Sequence, residues 1–153
     1  MIKLISKAAI QIQKPVEVVF EGIVNPEKMT RYFISESNGR METGKELIWK
    51  FPEFPDQFTV KEIKIKTNQS VSFVWDQETK VTIILEEQSD SSTLVKVTED
   101  GKSFNEDNLK WLISNTEGWA NFLACLKAYL EYGISLRKGA FDFMRPNGIL
   151  GKE

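Results

Sequence analysis

The sequence of 153 residues contains no histidine, and this absence excludes several large classes of enzyme. Ser-His-Asp and Cys-His nucleophile systems, histidine proton relays and nearly all catalytic zinc sites need that residue. The chain has one cysteine, Cys125, so it cannot form an intramolecular disulfide. Because no histidine is present to activate the thiol, we expect Cys125 to be buried and to act as a small hydrophobic residue. A glycine-rich phosphate loop and a cluster of metal ligands are also missing. We therefore assign no catalytic residue and expect neither a metal nor a cofactor.

The chain also lacks a surplus of positive charge and a long apolar run. Its 20 Lys and Arg residues are interspersed with 22 Asp and Glu residues, which leaves a net charge of -2, so nucleic acid is not an expected partner. No run approaches the ~20 apolar residues of a membrane-spanning helix, and the N-terminus lacks the apolar segment of a signal peptide. The sequence therefore predicts a cytoplasmic protein without a membrane partner.

The length predicts one folded domain, because domains typically contain ~100–200 residues. We expect this domain over residues 1–138 and a C-terminal tail over residues 139–153. The tail contains the apolar residues Phe141, Phe143 and Met144. Two interpretations of them stay open: they form a contact with a second copy of the chain in a homodimer, or they fold back over the mouth of a cavity. A disordered tail is a third alternative, which the aromatic content disfavours.

The N-terminal third has the signals of one strand followed by two short helices. Apolar and polar residues alternate from residue 2 to residue 12, which predicts a half-buried strand. Lys14-Pro15 ends that strand, and apolar residues then recur at helical spacing from Val16 to Ile23. Asn25-Pro26 is a second helix-start signal, which predicts another short helix over residues 27–33.

The middle of the chain has the pattern of an antiparallel meander. From Gly44 to about Glu99, short runs of alternating apolar residues are separated by polar turns. In one of these runs the apolar positions change parity between Val60 and Ile63. Because a change of parity moves side chains to the other face of a sheet, we expect a β-bulge or a bend there.

A long helix is predicted near the C-terminus. Ser103 and Glu106 have the spacing of a capping box, and no proline interrupts the helical pattern from there to about Leu136. A helix of roughly 30 residues is about 45 Å long. Its apolar residues fall on two adjoining stripes, wider than the ~100° arc of an ordinary surface helix. We therefore expect the preceding strands to form a sheet that contacts this helix on more than one side.

Three segments carry a resemblance to a known family. They are Lys14 to Phe20 after the first strand, Val24 to Met29 at the second short helix, and Gly118-Trp119 followed by Phe122 to Glu131 in the last helix. In this order they make the chain resemble the activator of heat-shock protein 90 ATPase-like family, within the START-related, birch-pollen-allergen-like (SRPBCC) superfamily. The resemblance implies an α+β helix-grip fold, in which a curved antiparallel sheet wraps around the C-terminal helix, often with an apolar cavity between them.

Eight apolar residues are candidates for binding a ligand in such a cavity, because small-molecule sites are mostly apolar and aromatic. They are Trp49, Phe51, Phe58, Phe73, Trp75, Trp119, Phe122 and Leu123. The alternative is that these residues fill the core, as aromatic residues of a folded domain normally do.

Charged residues near the predicted apolar faces are expected at the surface, because charged side chains are rarely buried unless they are paired. These residues are Arg31, Glu36, Lys50, Asp76 and Glu99. The alternative is that one or two of them point inward to orient a ligand or to move a proton. The neighbouring carboxylates Glu86-Glu87 and Glu99-Asp100 point to opposite faces of a strand, so neither pair forms an acid/base dyad and both are expected to be solvated.

The resemblance and the aromatic residues together predict a cytoplasmic binding module that takes up a small hydrophobic or amphipathic molecule between the sheet and the long helix. Two alternatives stay open. One is an enzyme similar to the polyketide cyclases and aromatases of the wider superfamily, although the missing histidine counts against it. The other is regulation of a heat-shock protein 90-type chaperone ATPase, which the family name alone implies.

Overall fold

The computed structural model describes residues 2–146. Along these residues the chain forms seven β-strands, three α-helices and a short 3-10 helix. In chain order they are β1 (Lys3–Ile12), α1 (Val16–Val24), α2 (Pro26–Met29), β2 (Glu36–Ser37), β3 (Leu47–Lys50), β4 (Gln57–Lys66), β5 (Ser70–Asp76), β6 (Thr79–Glu87), β7 (Thr93–Ser103), α3 (Glu106–Tyr132) and the 3-10 helix Asp142–Met144.

The strands form one antiparallel sheet in the order β1-β7-β6-β5-β4-β3-β2. Consecutive strands from β2 to β7 pair with their neighbours, and β1 closes the other edge by pairing with β7. The sheet curves around α3, so the predicted α+β helix-grip fold is confirmed. Buried and exposed residues alternate along β6 and along most of β7, as the sequence pattern predicted.

The predicted irregularity in β4 is also confirmed. The pairing of β4 with β5 changes register between Lys61 and Lys64. Glu62 has a φ of 52°, a left-handed conformation that a non-glycine residue adopts rarely and that is compatible with a bulge. Val60 and Ile63 are therefore both buried although they are three positions apart, an odd offset that would place them on opposite faces of a regular strand.

The two short helices begin at the predicted proline signals. Pro15 precedes α1, and the side chain of Asn25 accepts a hydrogen bond of 2.9 Å from the backbone N–H of Glu27 at the start of α2. The second helix ends earlier than predicted, at Met29, and a turn continues to Phe33. Thr30 and Arg31 at the start of this turn are exposed, whereas the aromatic side chains of Tyr32 and Phe33 are buried in the core.

The long helix α3 contains 27 residues, and both of its ends differ from the prediction. Asn105, and not Ser103, is the N-cap, since its side chain accepts a hydrogen bond of 2.8 Å from the backbone N–H of Asn108. The helix ends at Gly133, whose φ of 66° is the left-handed conformation typical of a helix C-terminus. Tyr132, the last residue of the helix, and Ile134, which follows the helix, are exposed.

The core lies between the concave face of the sheet and α3. The helix packs across β1 and β7, and α1 contacts both α3 and β6. Ser6 on β1 and Thr116 on α3 share a hydrogen bond of 2.9 Å between their hydroxyl oxygens. The buried part of α3 runs from Trp119 to Ala128, so the N-terminal half of the helix is the half that the sheet leaves partly uncovered. In the part of the chain described, no helix is long and apolar enough to span a membrane.

Candidate functional site

A cavity of about 620 Å³ lies beside the N-terminal half of α3, where the helix stands away from the sheet. Its walls come from the turn after α2, the ends of β5 and β7, the segment between β3 and β4, the exposed side of α3 and the C-terminal tail. The residues that line it are Phe33, Phe51, Phe54, Phe58, Trp75, Asp76, Glu99, Trp111, Ser114, Asn115, Glu117, Gly118, Trp119, Asn121, Arg137, Phe141, Phe143 and Met144.

The eight candidate ligand-binding residues divide into two groups of four. The first group lines the cavity and consists of Phe51, Phe58, Trp75 and Trp119. The second group lies behind that wall and is buried in the core; it consists of Trp49, Phe73, Phe122 and Leu123. The groups are in contact: the ring centroids of Trp49 and Trp75 are 6.0 Å apart, and those of Phe122 and Trp119 are 5.3 Å apart. The second group therefore supports the aromatic wall from behind.

Glu99 is buried, so the expectation of a surface position was wrong for this residue. Only 1% of it is exposed. The physical reason is that four neutral donors replace its water. Trp75 Nε1 and Thr79 Oγ1 donate to Oε2 at 3.0 and 2.6 Å, and Asn115 Nδ2 and Trp119 Nε1 donate to Oε1 at 3.0 and 2.9 Å.

A sequence signal for the burial of Glu99 was available. Strand residues of one parity share a face of the sheet, and Glu99 has the parity of the buried residues Val95 and Val97 on β7. The adjacent residue Asp100 points the other way and is exposed, as expected. Arg31 and Glu36 are also exposed, whereas Lys50 and Asp76 are half-buried.

Asp76 is the other carboxylate near the sheet side of the cavity, and it is paired with a cation. Lys102 Nζ lies 3.6 Å from Asp76 Oδ2 and 3.0 Å from Glu78 Oε1. The hydrogen bond to Glu78 raises the pKa of Lys102 above its ordinary value, against the effect of partial burial. The same ammonium lies 5.5 Å from the ring centroid of Trp111, so Trp111 makes a cation–π contact at the edge of the cavity.

Arg137 is the basic residue in the cavity wall, and its charge is neutralised by a carboxylate behind it. Its Nη2 and Nε donate to Glu53 at 2.6 and 3.3 Å, and only 4% of Glu53 is exposed. The guanidinium also lies 5.0 to 5.9 Å from the ring centroids of Phe33, Phe51 and Phe141. Sequence reasoning did not single out either partner, because they are 84 residues apart in the chain.

The first residues of the tail form the outer wall of the cavity. Phe141, Phe143 and Met144 line it, and Arg145 Nη1 donates a hydrogen bond of 2.7 Å to the carbonyl oxygen of Pro52. This arrangement corresponds to the interpretation in which the tail folds back over the cavity mouth. Residues 147–153 of the predicted tail lie outside the described residues, and the division into residues 1–138 and 139–153 stays a prediction.

Cys125 lies on α3 outside the cavity lining and is buried. Burial raises the pKa of its thiol, which disfavours the reactive thiolate. Within residues 2–146 no group of three or more His, Cys, Asp or Glu side chains is arranged to hold a metal ion. The cavity therefore offers aromatic surface and hydrogen-bonding groups, and the thiol of Cys125 is not part of its lining.

Three comparisons place the chain among known proteins. The family model described as "Activator of Hsp90 ATPase homolog 1-like protein" matches residues 13–131. The crystal structure of protein SSP2350 from Staphylococcus saprophyticus is 34% identical, with a TM-score of 0.78 over 88% of this chain and 96% of that one. No curated protein matches.

Two further solved structures share the fold at lower identity. The solution structure of the Aha1 dimer from Colwellia psychrerythraea is 19% identical, with a TM-score of 0.72 over 87% of this chain and 98% of that one. DynU16, described as a putative protein in the dynemicin biosynthetic locus, is 20% identical, with a TM-score of 0.75 over 84% of this chain and 48% of that one.

Proposed function

Because the chain belongs to the family of activator of Hsp90 ATPase homolog 1-like proteins and has an aromatic cavity beside α3, we propose that it binds a small hydrophobic or amphipathic molecule in that cavity. The observation that carries the proposal is the cavity itself. Its volume of about 620 Å³ falls within the range of ~300–1,000 Å³ usual for small-molecule sites. Its walls are mostly aromatic, with a few polar groups to orient a ligand.

The rigidity of the wall supports the same proposal. Trp75 and Trp119 are held by hydrogen bonds to Glu99, and the rings behind them are buried. A site whose side chains are already fixed loses little conformational entropy when a ligand binds. The tail supplies the remaining wall, so opening of the tail is the proposed route of entry for the ligand.

We propose binding without turnover. An enzyme of the cyclase type would need an acid or base with a free oxygen or nitrogen facing the substrate. Both oxygens of Glu99 already accept two hydrogen bonds from the protein, and Arg137 is engaged with Glu53. The cavity therefore favours recognition over proton transfer.

The first experiment is native mass spectrometry of the protein purified from its own host, followed by extraction and identification of bound molecules. We expect a copurifying apolar molecule at near-stoichiometric level. A matched pair of variants locates it. Gly118 lines the cavity and a Cβ added there meets nothing within 4 Å, so Gly118→Phe introduces a ring at the cavity wall with room for its Cβ. Ala120→Phe adds the same ring at an exposed position of the same helix outside the cavity lining.

Loss of the bound molecule in Gly118→Phe, with retention in Ala120→Phe, would support the proposed site. Retention in both variants would place the molecule elsewhere and contradict the proposal. A clean apo mass, together with a change in the ATPase rate of a heat-shock protein 90-type chaperone on addition of the protein, would favour the regulatory alternative.

The proposal extends to the cellular location and the oligomeric state of the protein. We propose a cytoplasmic location, because Cys125 is a free thiol in this structure and a reducing compartment preserves thiols; fractionation of host cells tests it. The Colwellia relative is described as a dimer, so a homodimer of this chain is a further proposal. Light scattering on the purified protein gives the mass that decides between one copy and two.

A further inference from the structure

The charge balance of the cavity wall is negative. Glu99 lines the cavity and is buried, and the hydrogen bonds it accepts all come from neutral groups. Glu117 adds a carboxylate at the exposed rim. Charged groups that are buried in proteins are usually paired with an opposite charge, so the isolated position of Glu99 calls for an explanation.

The cations near the cavity do not offset this charge. Arg137, the basic residue among those that line the cavity, is bound by both Nη2 and Nε to the buried carboxylate of Glu53. Lys102 lies between Asp76 and Glu78, which together carry more charge than it neutralises. An anionic ligand would therefore meet a wall with excess negative charge, in a site where partial enclosure strengthens electrostatic interactions.

The aromatic part of the wall also favours a positively charged ligand. The faces of indole rings attract cations. Trp75 and Trp119 donate their indole N–H groups to the Glu99 carboxylate, and such hydrogen bonds to an anion polarise the rings toward greater electron density. Lys102 over Trp111 and Arg137 over Phe141 are cations of the protein itself that already lie against cavity rings.

We propose that the ligand of this cavity is an organic cation: an amine or quaternary ammonium group on an aromatic or aliphatic body, with its charge directed toward Glu99 and the Trp75–Trp119 pair. This inference rests on the proposed function, because it specifies the class of molecule that the same cavity binds. The apolar body contacts Phe58 and the tail residues, and the ammonium group takes the position nearest the uncompensated carboxylate.

The test uses three probes that share one body and differ in charge: 1-naphthylmethylammonium, 1-naphthylmethanol and 1-naphthoate. Binding of each to the full chain is measured by titration calorimetry at neutral pH and low salt. We expect the ammonium probe to bind about tenfold more tightly than the alcohol, and the carboxylate probe to bind most weakly. An alcohol that binds as tightly as the ammonium, or a carboxylate that binds best, would overturn the inference and leave the proposed function standing.

Glu99→Gln and Asp100→Asn form a matched pair of variants for the same titration. Both remove one negative charge from β7, but Glu99 lines the cavity and Asp100 is exposed on the other face. We expect Glu99→Gln to reduce the preference for the ammonium probe to within about twofold, and Asp100→Asn to retain the full preference. Equal loss in both variants would overturn the role of Glu99. If Glu99→Gln does not fold, the ranking of the three probes on the unmodified protein decides the inference.

Failure of the proposed function gives a different result. In that case none of the three probes binds, and the protein purified from its host carries no small molecule. That combination overturns the cavity as a binding site and the cation preference with it.

Discussion

The indole rings of Trp75 and Trp119 are stacked, with ring centroids 5.4 Å apart and planes inclined by 27°, and their N–H groups donate to opposite oxygens of one carboxylate, that of Glu99. Trp75 belongs to the sheet and Trp119 to α3. Glu99 therefore joins the sheet to the helix at the wall of the cavity. Stability and the proposed ligand binding involve the same small group of residues, so matched substitutions are needed to separate the two properties.

Trp119→Ala is expected to lower the free energy of unfolding by about 3–5 kcal/mol, because it removes a buried ring and leaves Glu99 Oε1 with one donor fewer. Trp111→Ala is the control, since Trp111 lines the cavity but is only partly buried. We expect it to cost less than about 2 kcal/mol. Urea unfolding followed by circular dichroism measures both. A Trp119→Ala protein of unchanged stability would contradict the packing of α3 on the sheet.

Arg137→Met is expected to lower the free energy of unfolding by about 3 kcal/mol, because it leaves the Glu53 carboxylate buried without a partner. The double variant with Glu53→Gln should recover part of that loss. The two single variants and the double variant form a double-mutant cycle, and its coupling energy is expected to be about 2 kcal/mol. Lys45 and Glu42 form an ion pair whose side chains are 49% and 52% exposed, and the same cycle there should give less than about 1 kcal/mol. Equal coupling at the two sites would argue against a buried ion pair between the segment after α3 and the segment between β3 and β4.

Gly101→Ala and Gly118→Ala are expected to act in opposite directions. Gly101 has a φ of 132°, and a Cβ at this position would lie 2.0 Å from the carbonyl oxygen of Glu78. We expect a loss of about 3 kcal/mol or more, since the backbone at Glu78, in the turn just before β6, must move. Gly118 is helical with open space around it, so alanine should stabilise α3 by about 0.5–1 kcal/mol. Thermal unfolding of both variants tests these two expectations. A Gly101→Ala protein of unchanged stability would show that the backbone at Glu78 moves at little energetic cost.

Glu131 is expected to make stability depend on pH in the acid range. Burial alone would raise the pKa of this carboxyl, but hydrogen bonds from Lys127 Nζ and the backbone N–H of Gln13 outweigh it and hold the pKa below the ordinary value of 4.5. A carboxyl with a lowered folded-state pKa contributes stability that is complete above its unfolded pKa and is lost as the pH falls through the folded value. The contribution therefore disappears as the pH is lowered below about 4.5.

Glu131→Gln removes this contribution. The free energy of unfolding of the variant should therefore fall less steeply than that of the unmodified protein as the pH is lowered from about 5.5 to 3. Urea unfolding at a series of pH values gives the two profiles. Glu117→Gln, an exposed position on the same helix, controls for the loss of one glutamate. Parallel profiles for Glu131→Gln and the unmodified protein would show that the contact between β1 and α3 does not depend on this charge.

Local patterns were sufficient for the elements of the fold. Alternation identified the strands, Pro15 and Asn25 marked the helix starts, and the change of parity between Val60 and Ile63 located the bulge, because each of these signals depends on neighbours within a few residues. The predicted N-cap of α3 was wrong, because Ser103 and Asn105 both have a side chain suitable for capping. Only the backbone course at the end of β7 decides which of them is used.

The sequence by itself determined most of the strands and helices, the aromatic content of the core and the lack of histidine chemistry, and its resemblance to a known family implied the helix-grip fold. The tertiary structure decided which aromatic rings face the cavity and which support them, because that depends on the curvature of the sheet and not on residue type. It also decided the burial of Glu99 and the Glu53–Arg137 contact, whose partners come from distant parts of the chain. A buried charge is stable only where several donors converge on it, and that convergence exists only after the sheet, α3 and the segment that follows α3 have come together.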